Sequence, residues 1–188
     1  MTSRATGLGR IGERLDRTEG LDAVAIPVHD AISGPLGTGR LAAVLQGRWL
    51  GHPVHPMLTD IPIGCWTSAW LLDVFGTKRS EAAADGFVGL GVLAAVPTVV
   101  TGWSDWAKLP ATTRRTGVVH AVTNAVATGL YARSWAARRR GDRRRGLLLA
   151  HAGATLATAG AYLGGHLTFN AGGDTDPSRL PDPLADPS

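Results

Sequence analysis

The sequence predicts an all-α fold, a four-helix transmembrane bundle, on three observations. Apolar residues make up 44% of the 188-residue chain, yet they are segregated into its middle. A soluble domain mixes polar and apolar residues along every helix instead. Four apolar segments each run for roughly 20 residues, the length at which a helix covers the ~30 Å hydrocarbon core. No period-2 alternation marks a strand.

In chain order, residues 1–48 form an N-terminal region in which "LGRIGERLDR", "LDAVAIPVHDAI" and "GRLAAVLQGRWL" carry apolar residues at helical spacing. These read as short amphipathic helices at the membrane surface, with Trp49 at headgroup depth. The transmembrane domain is predicted over 49–170. Its segments run from about Met57 to Gly76, Ala82 to Trp103, Gly117 to Ala136 and Leu147 to Leu167. Pro62 and Pro97 should bend the first two, each removing one backbone hydrogen bond. Gly153, Ala157, Ala161 and Gly165 make a small-residue ladder on the fourth, of the kind that lets helices approach closely in lipid. The connections are short, so successive helices are antiparallel neighbours. The tail, 171–188, is rich in Pro, Asp and Gly and reads as disordered.

The charge pattern narrows the function classes. The formal net charge is +4, but the excess is concentrated in "RSWAARRRGDRRRG", without aromatic interleaving or a nucleic-acid motif. Between two apolar segments this block reads as a cytoplasmic loop facing anionic lipid. The expectation is a multi-pass protein of the bacterial inner membrane with loop 138–145 cytoplasmic, and no nucleic acid partner. Lys108, Arg114 and Arg115 in the opposite loop, with Arg40 and Arg48 ahead of the first segment, weigh against that orientation. The single cysteine, Cys65, rules out a disulfide framework and an iron–sulfur cluster in this chain. The first apolar segment begins near residue 56, so no signal peptide is expected. Nucleophile-elbow, P-loop, dinucleotide and HExxH patterns are missing, so the chain is not expected to be an enzyme on its own.

Antiparallel packing gathers polar residues at one end. The starts of segments one and three and the ends of two and four share one membrane face. His52, His55 and Asp60 arrive there from the first, Asp105 from the second, His120 and Asn124 from the third, and His166 from the fourth. Imidazole and carboxylate suit a transition metal, and paired imidazoles suit haem iron. The candidate cofactor ligands are therefore His55, His120 and His166, with His52, Asp60, Asp105 and Asn124 joining them in a candidate metal set. The cofactor is unknown: haem b or a transition metal ion. The plainer readings stand beside these. His52 and His55 can anchor at headgroups, Asp60 can balance a helix N-terminus, Asp105 can be solvated, and the whole cluster can be a hydrogen-bond network.

"WLGHPVHPMLTDIPIGCWTSAWLLDVFG", "TGWSDW", "RTGVVHAVTNAVATGLY" and "AYLGGHLTFNAG", in that order, resemble the motifs of a bacterial membrane family, domain of unknown function 2231. The resemblance covers about Trp49 to Gly173. It implies a four-helix membrane domain without an assigned activity, in some relatives followed by a Rieske-type [2Fe–2S] domain. This chain instead continues into a short tail and lacks the two cysteines such a cluster needs. Two functional expectations follow. One is a redox-associated membrane module that binds haem or a metal and partners a Rieske-type protein in trans. The other is a cofactor-free structural or scaffold membrane protein whose His/Asp cluster fixes helix packing. The expected partners are the lipid bilayer, that redox protein and, in an assembly, further copies of the chain.

Overall fold

The computed structural model describes residues 9–171, with side chains for 10–169. Among the described residues seven α-helices follow one another, with no strand: α1 (Gly9–Asp16), α2 (Asp22–Gly37), α3 (Gly39–Leu45), α4 (Val54–Phe75), α5 (Glu81–Trp106), α6 (Ala111–Arg139) and α7 (Arg143–Ala171). The four long helices match the four apolar segments, and all of their ends but the C-terminal end of α4 extend beyond them. The tail predicted to be disordered lies outside the described residues, apart from the last residue of α7.

Local chemistry sets the helix ends. Pro53 and Pro110 stand at the N-caps of α4 and α6 with extended ψ of 128° and 149°. A proline there gives up a donor that the first turn could not use. At the far end of α6, Gly141 takes a positive φ of 83°. Its N–H donates to the Arg138 carbonyl at 2.9 Å, and the Asp142 N–H donates to Ala137 at 3.0 Å. This glycine-ended cap turns the chain within three residues. It brings Arg143, at the start of α7, back beside Arg138.

Two antiparallel hairpins make the bundle. α4 packs along α5 and α6 along α7; α5 against α6 joins the pairs, while α4 and α7 barely touch. A core of Trp66, Ala69, Val88, Ala95 and Tyr131 fills the middle, with Trp66 stacked on Tyr131 at 4.0 Å and 8°. Gly91 lets Trp66 approach α5, because a Cβ there would lie 2.3 Å from the indole nitrogen.

Polarity is distributed inside-out. α6 carries Thr116, His120, Asn124, Tyr131, Ser134 and Arg138 on one stripe at three-, four- and seven-residue spacings, all of them buried or half-buried. The outer face of α5 shows Leu90, Leu93, Val96 and Val100, and that of α4 shows Ile63, Trp70, Leu71 and Val74. An exposed apolar girdle of this extent marks a membrane surface or an interface. By length and composition two helical stretches among the described residues are apolar enough to cross a membrane, Lys78–Trp106 and Arg143–Phe169. Among the described residues α4 and α6 do not meet that criterion.

The small-residue ladder on α7 is out of phase with the contact it was expected to make. The glycines that meet α6 closely are Gly146, Gly153, Gly160 and Gly164: a Cβ on each would lie 2.5 Å from Arg138, 3.1 Å from Tyr131, 2.6 Å from Asn124 and 3.0 Å from His120. Strict i+4 steps drift by about 40° each around a helix. The ladder therefore winds away from α6, and at Gly165 a Cβ would meet nothing within 4 Å.

Candidate functional site: the histidine end and the arginine end

The three inner histidines each tie a different pair of helices. His55, in the first turn of α4, donates from Nδ1 to the Thr98 carbonyl of α5 at 2.9 Å, and its ring lies over Gly102. His120, on α6, donates from Nδ1 to the Gly160 carbonyl of α7 at 2.9 Å. His166, buried on α7, donates from Nε2 to the Asp16 carboxylate of α1 at 2.9 Å. A carbonyl can only accept, so the proton of His55 and of His120 is on Nδ1. Asn124 packs beside His120, its amide 2.9 Å from the His120 carbonyl.

A proline explains one further link. Pro62 has no N–H, which leaves the Leu58 carbonyl without its helical donor. The Thr98 hydroxyl, which also faces the Ala94 carbonyl at 2.9 Å, stands 3.2 Å from Leu58 and offers a replacement across the α4–α5 contact.

The residues of the expected ligand set are placed differently from one another. His52 and Asp60 are exposed, and Asp105 is half-buried in the last turn of α5. His55 bonds to α5, His120 to α7, and His166 turns to Asp16. Among the described residues no group of three or more His, Cys, Asp and Glu side chains is arranged to hold a metal ion. The donors thus do not fit a centre built on the full predicted set. The carboxylate expected to orient a histidine was Asp60; it is Asp16, from a helix outside the bundle.

Asp16 belongs to a cap that the sequence did not foretell. α1 packs on α6 and α7, α2 on α5 and α6, and α3 on α5. The Asp16 carboxylate also accepts from the Thr116 hydroxyl at 2.5 Å. Arg115 grips the Asp22 carboxylate with two nitrogens, at 2.8 and 2.6 Å, and reaches the Asp16 carbonyl at 3.0 Å. The hydrogen bonds to Arg115 hold Asp22 below the ordinary carboxylate range. Ser104 donates to Leu36 at 2.6 Å and accepts from Gln46 at 3.1 Å. His29 bonds the Ala107 carbonyl at 3.1 Å and tilts against Trp106, so it is part of this junction, not a surface residue. The N-terminal helices are helical as expected, but they sit across the bundle end.

The opposite end holds charges that sequence reasoning assigned to a loop. Arg138 has a fully buried side chain and contacts Asp73 at 2.5 and 3.0 Å and Asp85 at 3.0 Å. Arg143 reaches the same two carboxylates at 2.7 and 3.3 Å, and Glu81 at 3.4 Å. Ser134 accepts from Arg138 Nε at 3.2 Å and donates to the Gly146 carbonyl at 2.7 Å. Four helix ends thus meet in one ion network, with carboxylates from α4 and α5 and arginines from α6 and α7. The signal that could have found it was present: Asp73 in "WLLDVFG" and Asp85 in "AAADGF" are lone carboxylates inside apolar segments, which need a partner.

No curated protein and no solved structure matches the chain. The family model described as "Predicted membrane protein (DUF2231)" matches residues 51–177, more than half of the sequence. The match takes in the four long helices and the arginine end, and the chain belongs to that family.

Proposed function

We propose that this protein is a membrane scaffold: all four long helices cross the bilayer, and its internal polar groups fix their register. The observation that carries this reading is the separate commitment of His55, His120 and His166, each bonded across a different helix–helix contact. Inside a bilayer a polar side chain is retained where it finds a partner, and interhelical hydrogen bonds then select one packing. The outward apolar faces of α4 and α5 and the inward polar stripe of α6 support four crossings. The arginine end is read as cytoplasmic, on exposed Arg139, Arg140, Arg144, Arg145, Lys78 and Arg79. Cysteine labelling from either side of sealed vesicles tests the topology. Cysteines introduced at Thr77 and at Asp142 should label from the cytoplasmic side, and one at Lys108 from the other. Labelling of Lys108 and Asp142 from the same side would end the four-span reading.

One observation favours a second reading, a redox module that receives electrons from, or passes them to, a Rieske-type partner. With Nδ1 bonded to a carbonyl, the Nε2 lone pair of His55 is left in the form that metal-binding histidines use, and that of His120 faces the Asn124 amide at 3.4 Å. The purified membrane protein separates the two. A Soret band or stoichiometric metal, lost in His55→Ala and His120→Ala, selects the redox module. A colourless, metal-free protein in which the same variants lose only thermal stability selects the scaffold.

A further inference from the structure

Because α4 and α7 barely touch, a groove of about 260 Å³ opens between them, floored by Trp66 and Tyr131 and walled by Trp70, Ala157, Thr158 and Ala161. We infer that this groove holds one acyl chain of an anionic phospholipid whose phosphate rests on Arg144. The inference rests on the reading that α4 and α7 cross the bilayer, and it adds a ligand that this reading does not contain.

Lining and charge point to this occupant. The floor is a stacked aromatic pair and the α7 wall is alanine apart from Thr158, which leaves a mostly apolar trough. Toward the arginine end the trough closes to a pocket of about 10 Å³ beside Asp73, Ala150 and His151, room for about one water. A charged headgroup is too large for that pocket and must sit farther out, at the helix ends.

The groove's outer edge leads to a cation. Thr158, His151 and Arg144 follow one another at seven-residue intervals on α7 and are all exposed. Seven residues return to within about 20° of the same face, so the three form one stripe, and Arg144 lies about 10 Å beyond His151 along the axis. Arg138 and Arg143 are already committed to Asp73 and Asp85. Arg144 is not among the groups that bind those carboxylates, and Arg140 and Arg145 are exposed nearby in the same turn. Guanidinium is suited to phosphate, and basic sites at the ends of spanning helices recruit anionic headgroups.

The full chain, purified in mild detergent, is titrated with phosphatidylglycerol and with phosphatidylcholine of the same acyl chains, and bound lipid is counted by native mass spectrometry. Phosphatidylglycerol should be retained roughly five-fold more strongly. Arg144→Gln, a surface change that leaves the fold intact, should equalise the two lipids while keeping the bound chain. Ala157→Phe, which fills the trough, should reduce retention of both. Equal retention of the two lipids by the unaltered protein overturns the assignment. So does a dimer that Ala157→Phe abolishes, since the groove would then belong to a second copy. A chain that stays in solution without detergent would instead overturn the membrane reading itself.

Discussion

The two ends of the bundle solve one problem, holding polar groups among apolar helices, by different means. At the arginine end one guanidinium with no exposed side-chain surface meets carboxylates from two helices, and a second arginine shares them. At the histidine end the links are hydrogen bonds spread over different helix pairs, and the N-terminal helices close over them. The first arrangement fails as a unit, because removing one partner strands a buried charge. The second fails piecemeal, because each bond joins only two elements. The bundle should therefore be brittle at one end and tolerant at the other.

The sharpest test of that difference is Arg138→Met. It leaves Asp73, whose side chain is only 4% exposed, facing Arg143 alone. The expected loss is about 3–5 kcal/mol, read as a large fall in the unfolding midpoint of the detergent-solubilised protein. A midpoint within a degree or two of the unaltered protein would remove the distinction between the ends.

A smaller and more local effect is expected from Asp16→Ala. It strips the acceptor from both His166 and Thr116, at a cost of about 1–3 kcal/mol. That cost should fall on the cap. Limited proteolysis before residue 38 should speed up, while the unfolding midpoint of the four long helices should change little. Equal loss of both would mean that cap and bundle fold as one unit.

Acid should loosen the cap in a particular window. Asp22 titrates below its ordinary value because Arg115 hydrogen-bonds its charged form. Its contribution is therefore fully present above the unfolded carboxylate pKa, near 4. It is lost as pH falls through the lower folded value. Protease sensitivity of residues 9–37 should stay flat from neutral pH to about pH 4 and rise below that. Asp22→Asn should be sensitive throughout, with a weaker dependence on pH.

The smallest effects are expected at His52→Ala and Asp60→Asn, two residues of the expected ligand set that are exposed. Each should leave the unfolding midpoint unchanged to within about 0.5 kcal/mol. A larger change at either would return it to the histidine cluster.

The sequence by itself determined the helices, their number and their order, because a run of roughly 20 apolar residues bounded by Pro, Gly and charge has few other ways to satisfy its backbone. The antiparallel threading followed from short connections, so His55 and His120 could be placed at one end in advance. Pairing was beyond its reach. That His166 turns to Asp16, 150 residues away in the chain, depends on α1 folding back over the bundle, and no local pattern encodes a contact of that span. The same holds for Arg138 and Arg143. In sequence they are part of a basic loop indistinguishable from Arg139 and Arg144; helical phase and the tight turn at Gly141 aim two of them inward, onto Asp73 and Asp85, and leave the others outside. Which small residues of α7 meet α6 was likewise a matter of phase, since 40° of drift per step is invisible in a list of glycines and alanines. Composition and period decide what each segment becomes; the rotation of each helix against its neighbours, set by packing, decides which of its polar groups meet.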